Sequence, residues 1–171
     1  GNIDVLVFDA YFPADKIRFI LCYRPPNSSD RAVTGFKNLL RMLVERLDCS
    51  WPTVLLGDFN LPDIDWFTVQ ATEQTFHIPF VDFVRENGYT QYVSSPTRKH
   101  NILDIVLCND AYLISDCDIV APIGASDHCG VMFSILELSC DFNSCKPSSI
   151  SKSLQPPTVQ APGDAQSMSP S

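Results

Sequence analysis

A short apolar run that ends in Gly-Asp-Phe-Asn constrains this chain more than any other feature. The run covers residues 54–60, Val-Leu-Leu-Gly-Asp-Phe-Asn, and it follows Pro52. An apolar run of this length, bounded by Pro and Gly, predicts a buried strand. Side chains two apart on an extended chain point to the same face, so Asp58 and Asn60 are expected to face one cleft beyond the strand. The competing interpretation is a plain loop in which the Asp and Asn side chains hydrogen bond within their own turn.

The segments before this run predict strands and a helix that pack together. Residues 3–8 and 17–23 are strand-like and are separated by a turn, which is typical of an antiparallel hairpin. From about residue 30 to residue 48, apolar residues recur at helical spacing and predict an amphipathic helix. The order strand, helix, strand predicts an α/β fold with helices packed on a sheet.

The segments after the run predict one domain followed by a tail. We expect a long surface loop without periodicity at 61–75, and a second helix around Phe80 that ends at Asn87-Gly88. Further strands are predicted at 102–107, 118–121 and 131–138. The predicted domain therefore covers residues 1–138. Residues 139–171 form a predicted disordered tail, since 8 Ser and 5 Pro occur among residues 144–171.

Composition excludes several classes of protein. A net charge of -8 and a pI of about 4.6 are not those of a dedicated nucleic-acid-binding surface. No apolar run approaches the roughly 20 residues of a membrane helix, and no signal peptide is visible. The seven cysteines are odd in number and form no C-x-x-C pair. We therefore expect no disulfide and no membrane partner, an intracellular reducing compartment, and buried thiols at Cys22 and Cys108.

Polar residues interrupt the apolar strands at three further points. These are Tyr23, Asp104 within Ile-Leu-Asp-Ile-Val-Leu, and the pair Asp127-His128. A carboxylate inside an apolar strand is costly unless it has a partner, and an imidazole held by it would have its tautomer and orientation fixed. Each residue also has a simpler interpretation: a strand-end Asp facing water, a surface His, and an aromatic at the edge of the core.

Taken in order, these motifs resemble a known family. The order Tyr-Arg-Pro-Pro, Gly-Asp-Phe-Asn, Leu-Asp-Ile-Val-Leu, Ser-Asp-His is similar to that of the endonuclease/exonuclease/phosphatase family. The phrases GDFNLPDIDW, SPTR, ILDIVL and SDHCGV resemble the endonuclease domains of LINE-type (non-LTR) retrotransposons, and the resemblance covers about residues 3–137. The combination of GDFN with a downstream SDH is specific, whereas each motif alone is weak. The implied fold is a four-layer α/β sandwich of two packed sheets.

The resemblance implies a role for each of these polar residues. Asp58 would orient and deprotonate the attacking water, and Asn60 would bind the scissile phosphate. His128 would contact the phosphate from the other side, with Asp104 holding its far nitrogen. Asp127 would hold a divalent metal, Mg²⁺ or alternatively Mn²⁺, and Tyr23 would lie beside the phosphate. The implied reaction is hydrolysis of a phosphodiester bond in DNA, and the implied location is nuclear if the domain is functional.

One departure from the family pattern leads to three further expectations. Family members have an N-terminal half of the domain that precedes the strand equivalent to residues 3–8. That half supplies an Asn near the phosphate and a metal-binding Glu, and no equivalent appears in this sequence. We therefore expect an N-terminally truncated domain with an exposed apolar sheet face, weak metal binding and impaired nicking. Two alternatives stay open: a non-catalytic remnant that acts as an interaction module, and a phosphomonoesterase of the same superfamily.

Overall fold

The computed structural model describes residues 3–12, 16–26, 30–46, 51–71 and 77–136. Two helices and nine strands occur among these residues in the order β1 (Asp4–Tyr11), β2 (Lys16–Tyr23), α1 (Asp30–Arg46), β3 (Thr53–Asp58), β4 (Ile64–Asp65), β5 (Gln70–Ala71), α2 (His77–Glu86), β6 (Thr90–Gln91), β7 (Asp104–Cys108), β8 (Ile114–Val120) and β9 (Gly130–Ile135). The predicted tail, residues 139–171, lies outside the described residues.

A five-stranded mixed sheet forms the centre of the fold, in the order β1-β2-β3-β7-β6. The predicted antiparallel hairpin of β1 and β2 is confirmed. Strand β3 runs parallel to β2 after the crossover through α1 and antiparallel to β7. This register places Asp58, the last residue of β3, between Tyr23 on β2 and Asp104 on β7. Three polar residues that are far apart in sequence therefore lie side by side at one edge of the sheet.

Alternating side chains of the central strands pack into two apolar clusters. Leu55 and Leu107 lie in the cluster that includes Phe36 of α1 and Phe80 of α2. Val54 and Val106 lie in the second cluster, which includes residues of the two-stranded sheet β8-β9. Since strand side chains alternate between faces, the sheet has helices on one face and a second sheet on the other. The α/β class is confirmed, and the described residues supply three of the four layers expected.

The segment after β3 differs from the predicted surface loop. Leu61, Ile64 and Trp66 are buried, and the short strands β4 and β5 pair with each other. The ring of Trp66 packs edge-on against Phe80 of α2 at a centroid distance of 6.0 Å. The prediction was wrong for 61–71 because two-residue strands are too short to produce a detectable apolar period, and residues 72–75 lie outside the described range.

The ends of the helices follow the sequence signals where the structure describes them. Helix α1 covers Asp30–Arg46, and the predicted residues 47 and 48 are not among those described. Helix α2 is followed by Gly88 at φ 65°, whose N–H donates to the Arg85 carbonyl over 3.2 Å, so the predicted Asn-Gly end is confirmed. In the described part of the chain, no helix is both long and apolar enough to span a membrane.

One face of the β1-β2 hairpin exposes apolar side chains. Leu6 lies opposite Leu21 in the register, and Phe8 stacks on Phe19 with ring centroids 5.1 Å apart. Leu6, Phe8, Leu21 and Tyr23 are all exposed. The expectation of an exposed apolar sheet face is therefore confirmed.

Cys22 and Cys108 are fully buried in the core, as predicted, and both are free thiols. Burial raises the pKa of Cys22 to about 12 and that of Cys108 to about 11. Both thiols therefore stay protonated and act as small apolar side chains.

Candidate active site

Gly57 brings β2 and β3 close together immediately before the site. It lies opposite Cys22 and has φ 134°, a conformation that favours glycine. A Cβ at this position would lie 1.9 Å from the Cys22 carbonyl oxygen. The glycine of the Gly-Asp-Phe-Asn motif is therefore required by the close approach of the neighbouring strand.

Arg24 holds the turn that follows Asp58. Its backbone N–H donates to the Asp58 carbonyl over 2.8 Å, and its guanidinium Nη1 donates to the carbonyls of Phe59 (3.2 Å) and Asn60 (2.9 Å). The amide Nδ2 of Asn60 donates back to the Arg24 carbonyl over 2.8 Å. Arg24 is 2% exposed, and desolvation by burial lowers its pKa. This clamp was missed from the sequence, because nothing in Tyr-Arg-Pro-Pro shows that the arginine is buried.

Asn60 does not have the extended conformation that the sequence argument assumed. Strand β3 ends at Asp58, and Asn60 has a left-handed backbone with φ 46°. Its N–H donates to Asp58 Oδ1 over 3.1 Å, and the residue is 7% exposed. The positions of the Asp58 and Asn60 side chains are therefore not set by the two-residue spacing of a strand. They are set by a turn in which the Asp58 carboxylate accepts a hydrogen bond from the Asn60 backbone. The phosphate-binding role of Asn60 stays a prediction.

Asp58, Asp104 and His128 form the centre of the candidate site. Asp58 and Asp104 are directly opposed on antiparallel strands, and the Nδ1 atom of His128 lies 2.8 Å from Asp104 Oδ2. Each of the three residues offers a ligand atom, and these atoms all lie within 4.8 Å of one another. The predicted contact between Asp104 and His128 is confirmed, although the two residues are 24 positions apart in the sequence.

Two carboxylates at this separation make the site electrostatically negative. Burial and the nearby charge of Asp104 raise the pKa of Asp58, and the N–H of Asn60 and His128 oppose that shift. The raised pKa means that the ionised form of Asp58 is less stable in the folded protein than in the unfolded chain. A cation or a protonated imidazole at this position would reduce that cost.

The contact with Asp104 sets which nitrogen of His128 is available. With Nδ1 engaged by a carboxylate, the proton of a neutral ring lies on Nδ1, and Nε2 is left as an acceptor. When the ring is protonated, Nε2 becomes a donor to an anionic oxygen. The backbone N–H of His128 also donates to Ser126 Oγ over 3.1 Å. The ring is thus oriented for proton transfer or for contact with a phosphate.

Thr97 connects the loop before β7 to both sides of the site. It is fully buried, and its Oγ1 accepts from the N–H groups of Leu103 (3.0 Å) and Asp104 (3.1 Å). Its carbonyl accepts from the N–H of Cys129 over 2.7 Å, next to His128. The sequence gives no indication of these contacts, because a threonine beside Pro carries no sign of long-range hydrogen bonds.

Asp127 lies outside this group and is paired with Arg98. Both the Nη2 (2.6 Å) and the Nε (2.8 Å) of Arg98 contact Asp127 Oδ2. The hydrogen bond from Arg98 lowers the pKa of Asp127. The structure therefore brings together Asp58, Asp104 and His128, and gives Asp127 a cationic side chain as its partner. The metal-binding role of Asp127 stays a prediction.

Tyr23 lies at the exposed side of the site. It pairs with Asp58 in the parallel register of β2 and β3 and is 48% exposed. A phenol at this position borders the carboxylates and remains accessible to a ligand. The position agrees with the predicted location beside a phosphate, and the role itself stays a prediction.

The donor set of the site fits a hard divalent cation. Carboxylate oxygens suit Mg²⁺ and Mn²⁺, and imidazole nitrogen suits the transition metals. Asp58, Asp104 and His128 provide two carboxylates and one imidazole. Burial and the neighbouring Asp104 carboxylate raise the pKa of Asp58, and a cation beside it would oppose both effects. These three residues are the ones in the described chain that could hold the ion.

Solved structures identify the class of fold. The endonuclease domain of TRAS1, a telomere-specific non-LTR retrotransposon, aligns with a TM-score of 0.59 and 20% identity, covering 78% of this chain and 61% of that one. An endonuclease/exonuclease/phosphatase family protein from Leptotrichia buccalis C-1013-b aligns with a TM-score of 0.53 and 18% identity, covering 77% and 53%. The 3′ phosphatase NExo from Neisseria, bound to product DNA hairpin, aligns with a TM-score of 0.51 and 17% identity, covering 75% and 64%. The fold is that of the endonuclease/exonuclease/phosphatase superfamily.

The family itself follows from the sequence. The model of the endonuclease-reverse transcriptase family matches residues 17–132, and the chain belongs to that family. The resemblance predicted from the motifs is confirmed. A comparison with curated proteins found no match. The chain spans less than two thirds of the length of each of the three solved structures.

Proposed function

We propose that this chain carries the site of a retrotransposon-type endonuclease that hydrolyses phosphodiester bonds in DNA. The observation that carries the proposal is the convergence of Asp58, Asp104 and His128 at one edge of the sheet. Two carboxylates and an oriented imidazole provide a general base and a group that contacts a phosphate oxygen.

The proposed roles follow from the contacts of each side chain. Asp58 accepts the proton of the attacking water, and its raised pKa makes it a better base than an ordinary carboxylate. His128, oriented by Asp104, contacts the phosphate through Nε2. The family resemblance, and not a contact of their own, suggests that Asn60 and Tyr23 border the phosphate.

A divalent cation, Mg²⁺ or Mn²⁺, is the proposed cofactor. The carboxylates of Asp58 and Asp104 would hold it while His128 Nε2 stays with the phosphate, and Asp127 would contribute if Arg98 released its carboxylate. When bound, the ion supplies a Lewis acid that stabilises negative charge on the phosphate oxygens. The residues of this chain orient the water and move its proton.

DNA is the proposed substrate. Support comes from the TRAS1 endonuclease domain and from NExo, whose structure contains a product DNA hairpin. The balance of 12 Lys and Arg against 20 Asp and Glu leaves few cations for phosphate contacts. Binding is therefore expected to be weak and to depend only shallowly on salt, because few phosphates are neutralised.

We further propose that nicking by this chain is slow. Asp127, the metal ligand implied by the family resemblance, is occupied by Arg98. Misplacement of a catalytic group by ~1 Å is enough to reduce a rate about 100-fold. Arg98→Ala, which releases the Asp127 carboxylate, should raise the rate of nicking.

Relaxation of supercoiled plasmid tests the proposed function. The purified chain is assayed at low salt with Mg²⁺, with Mn²⁺ and with EDTA. We expect slow, metal-dependent nicking that Asp58→Ala and His128→Ala both abolish. Asp82→Asn is the matched control, because Asp82 is exposed on α2 and outside the site. Nicking that survives both substitutions would contradict the proposal.

The same preparation separates the alternatives. Release of inorganic phosphate from a 3′-phosphorylated oligonucleotide, without plasmid nicking, would identify a phosphomonoesterase. Absence of both activities, even after the N-terminal half of a family member has been joined, would identify a non-catalytic interaction module.

A further inference from the structure

The ion pair between Arg98 and Asp127 joins two loops that carry parts of the candidate site. Arg98 follows Thr97, whose hydroxyl accepts from the Asp104 N–H. Asp127 immediately precedes His128. The side chains of Arg98 and Asp127 are 33% and 64% exposed, so water screens their attraction. Exposed ion pairs contribute little to stability, and this contact can therefore be exchanged for another at a small cost in free energy.

The geometry of the pair does not use the full donor capacity of the Arg98 guanidinium. Both Nη2 (2.6 Å) and Nε (2.8 Å) meet a single oxygen, Asp127 Oδ2. In the stronger arrangement, two parallel N–H groups of an arginine donate to two different oxygens. A phosphate group offers two such oxygens, and the planar guanidinium is suited to them. A phosphate could therefore replace the Asp127 carboxylate as the partner of Arg98.

The backbone of Arg98 is held in place, so an exchange of partners requires only its side chain to move. The Arg98 N–H donates to the Asn101 carbonyl over 3.1 Å, and the Arg98 carbonyl accepts from the Asn101 N–H over 2.9 Å. The Thr97 carbonyl accepts from the Cys129 N–H over 2.7 Å and holds the two loops together. The guanidinium therefore lies against the residue before His128, whose ring is proposed to contact the phosphate.

The position of the Arg98 side chain also controls how strongly Asp127 attracts a cation. While the guanidinium stays on Oδ2, its positive charge offsets the charge of the carboxylate and repels a divalent ion. Movement of the guanidinium to a phosphate would restore the full negative charge of Asp127. Binding of a phosphate and binding of a cation would then favour each other, because the same movement of one side chain serves both.

We propose that Asp127 and a DNA phosphate compete for Arg98, and that transfer of its side chain to the phosphate frees Asp127 for the divalent cation. The inference rests on the proposed function, because it takes DNA as the substrate. In the bound complex the guanidinium is divided between the two acceptors, and Asp127 reaches the cation only while Arg98 is on the phosphate. Removing Arg98 should therefore weaken DNA binding and, at saturating DNA, raise the rate of nicking.

Measurements of DNA binding test this inference without requiring catalysis. The full chain is titrated into a fluorescein-labelled duplex oligonucleotide in EDTA, so that no divalent cation supports cleavage, and fluorescence anisotropy is recorded at several low salt concentrations. Arg98→Ala removes the guanidinium, Asp127→Asn removes the competing carboxylate, and the double variant removes both. Arg41→Ala and Glu45→Gln are the matched controls, because Arg41 and Glu45 form an exposed ion pair (3.3 Å) on α1.

We expect Arg98→Ala to reduce the slope of log affinity against log salt by about 1, the loss of one phosphate contact, and Arg41→Ala to leave that slope unchanged. Asp127→Asn should tighten DNA binding about threefold, because Arg98 no longer has a competing acceptor. Glu45→Gln should not, and the gain from Asp127→Asn should disappear in the double variant. A gain that persists without Arg98, or an unchanged salt slope in Arg98→Ala, would overturn the inference and leave the endonuclease proposal standing.

Binding of Mn²⁺ without DNA is the second measurement, made from the electron paramagnetic resonance signal of the free ion. Arg98→Ala should tighten Mn²⁺ binding about threefold, because the Asp127 carboxylate is released, and Arg41→Ala should not. Equal Mn²⁺ binding by these two variants would overturn the inference alone. Failure of the unchanged chain to bind the DNA duplex would overturn both the inference and the proposed function.

Discussion

Replacing Thr97 by valine should uncouple β7 from the loop that positions it. Valine has nearly the shape of threonine but lacks Oγ1, which accepts from the N–H groups of Leu103 and Asp104. Thr97 is fully buried, so no water can take the place of the hydroxyl without a rearrangement. The substitution therefore leaves two backbone donors without their acceptor and keeps the packing almost unchanged.

The expected loss follows from the burial of the two donors. Leu103 is buried, and leaving its N–H unsatisfied costs roughly 1–3 kcal/mol. Asp104 is half-buried, so its N–H can reach some solvent and adds roughly 0.5–1.5 kcal/mol. Thr97→Val should thus lower the free energy of unfolding by about 1.5–4.5 kcal/mol. Thr97→Ser keeps the hydroxyl and loses one buried methyl, for about 1 kcal/mol.

Urea unfolding followed by tryptophan fluorescence measures both variants against the unchanged chain. Amide hydrogen exchange at Leu103 and Asp104 gives a local measurement, and we expect faster exchange in Thr97→Val than in Thr97→Ser. Equal stability and equal exchange of the two variants would show that the hydroxyl does not hold the start of β7.

Two further predictions concern β3. Gly57→Ala should destabilise the fold by at least about 3 kcal/mol, because the new Cβ would clash with the Cys22 carbonyl and the backbone at this position is left-handed. The urea midpoint should fall accordingly. An unchanged midpoint would mean that β2 and β3 can move apart to accept the methyl group. Asp58→Asn should stabilise the protein at pH 7.5. The pKa of Asp58 is raised on folding, so its ionisation disfavours the folded state. The advantage of asparagine should therefore decline as the pH falls through the raised pKa and be lost below about pH 4. A stabilisation that does not change with pH would argue against this origin.

The elements that could be predicted are those whose pattern is local. The hairpin of β1 and β2, helix α1, and the end of α2 at Gly88 follow from apolar period and turn chemistry. The β4-β5 hairpin could not be predicted, because its strands are two residues long and its buried residues are held by contacts with α2.

Some contacts of the candidate site could likewise be predicted from the sequence, and others could not. The pairing of Asp104 with His128 could be expected, because a carboxylate within an apolar strand needs a partner and the family resemblance implies that the partner is His128. The partners of Asp127 and Asn60 could not, since Arg98 and Arg24 reach them across 29 and 36 residues. Nothing local to either arginine indicates which acceptor it meets.

The sequence by itself determined the α/β class, the family and the residue types of the site, because these depend on motif order and on the period of apolar residues. Only the tertiary structure decided which partner each polar residue has. The register of β3 and β7 pairs Asp58 with Asp104, and the hydrogen bond from Cys129 to Thr97 places His128 beside them. Arg98 forms an ion pair with the carboxylate of Asp127. The physical reason is that a hydrogen bond or ion pair depends on distances of about 3 Å, and distances on that scale between remote segments are set by packing of the whole fold.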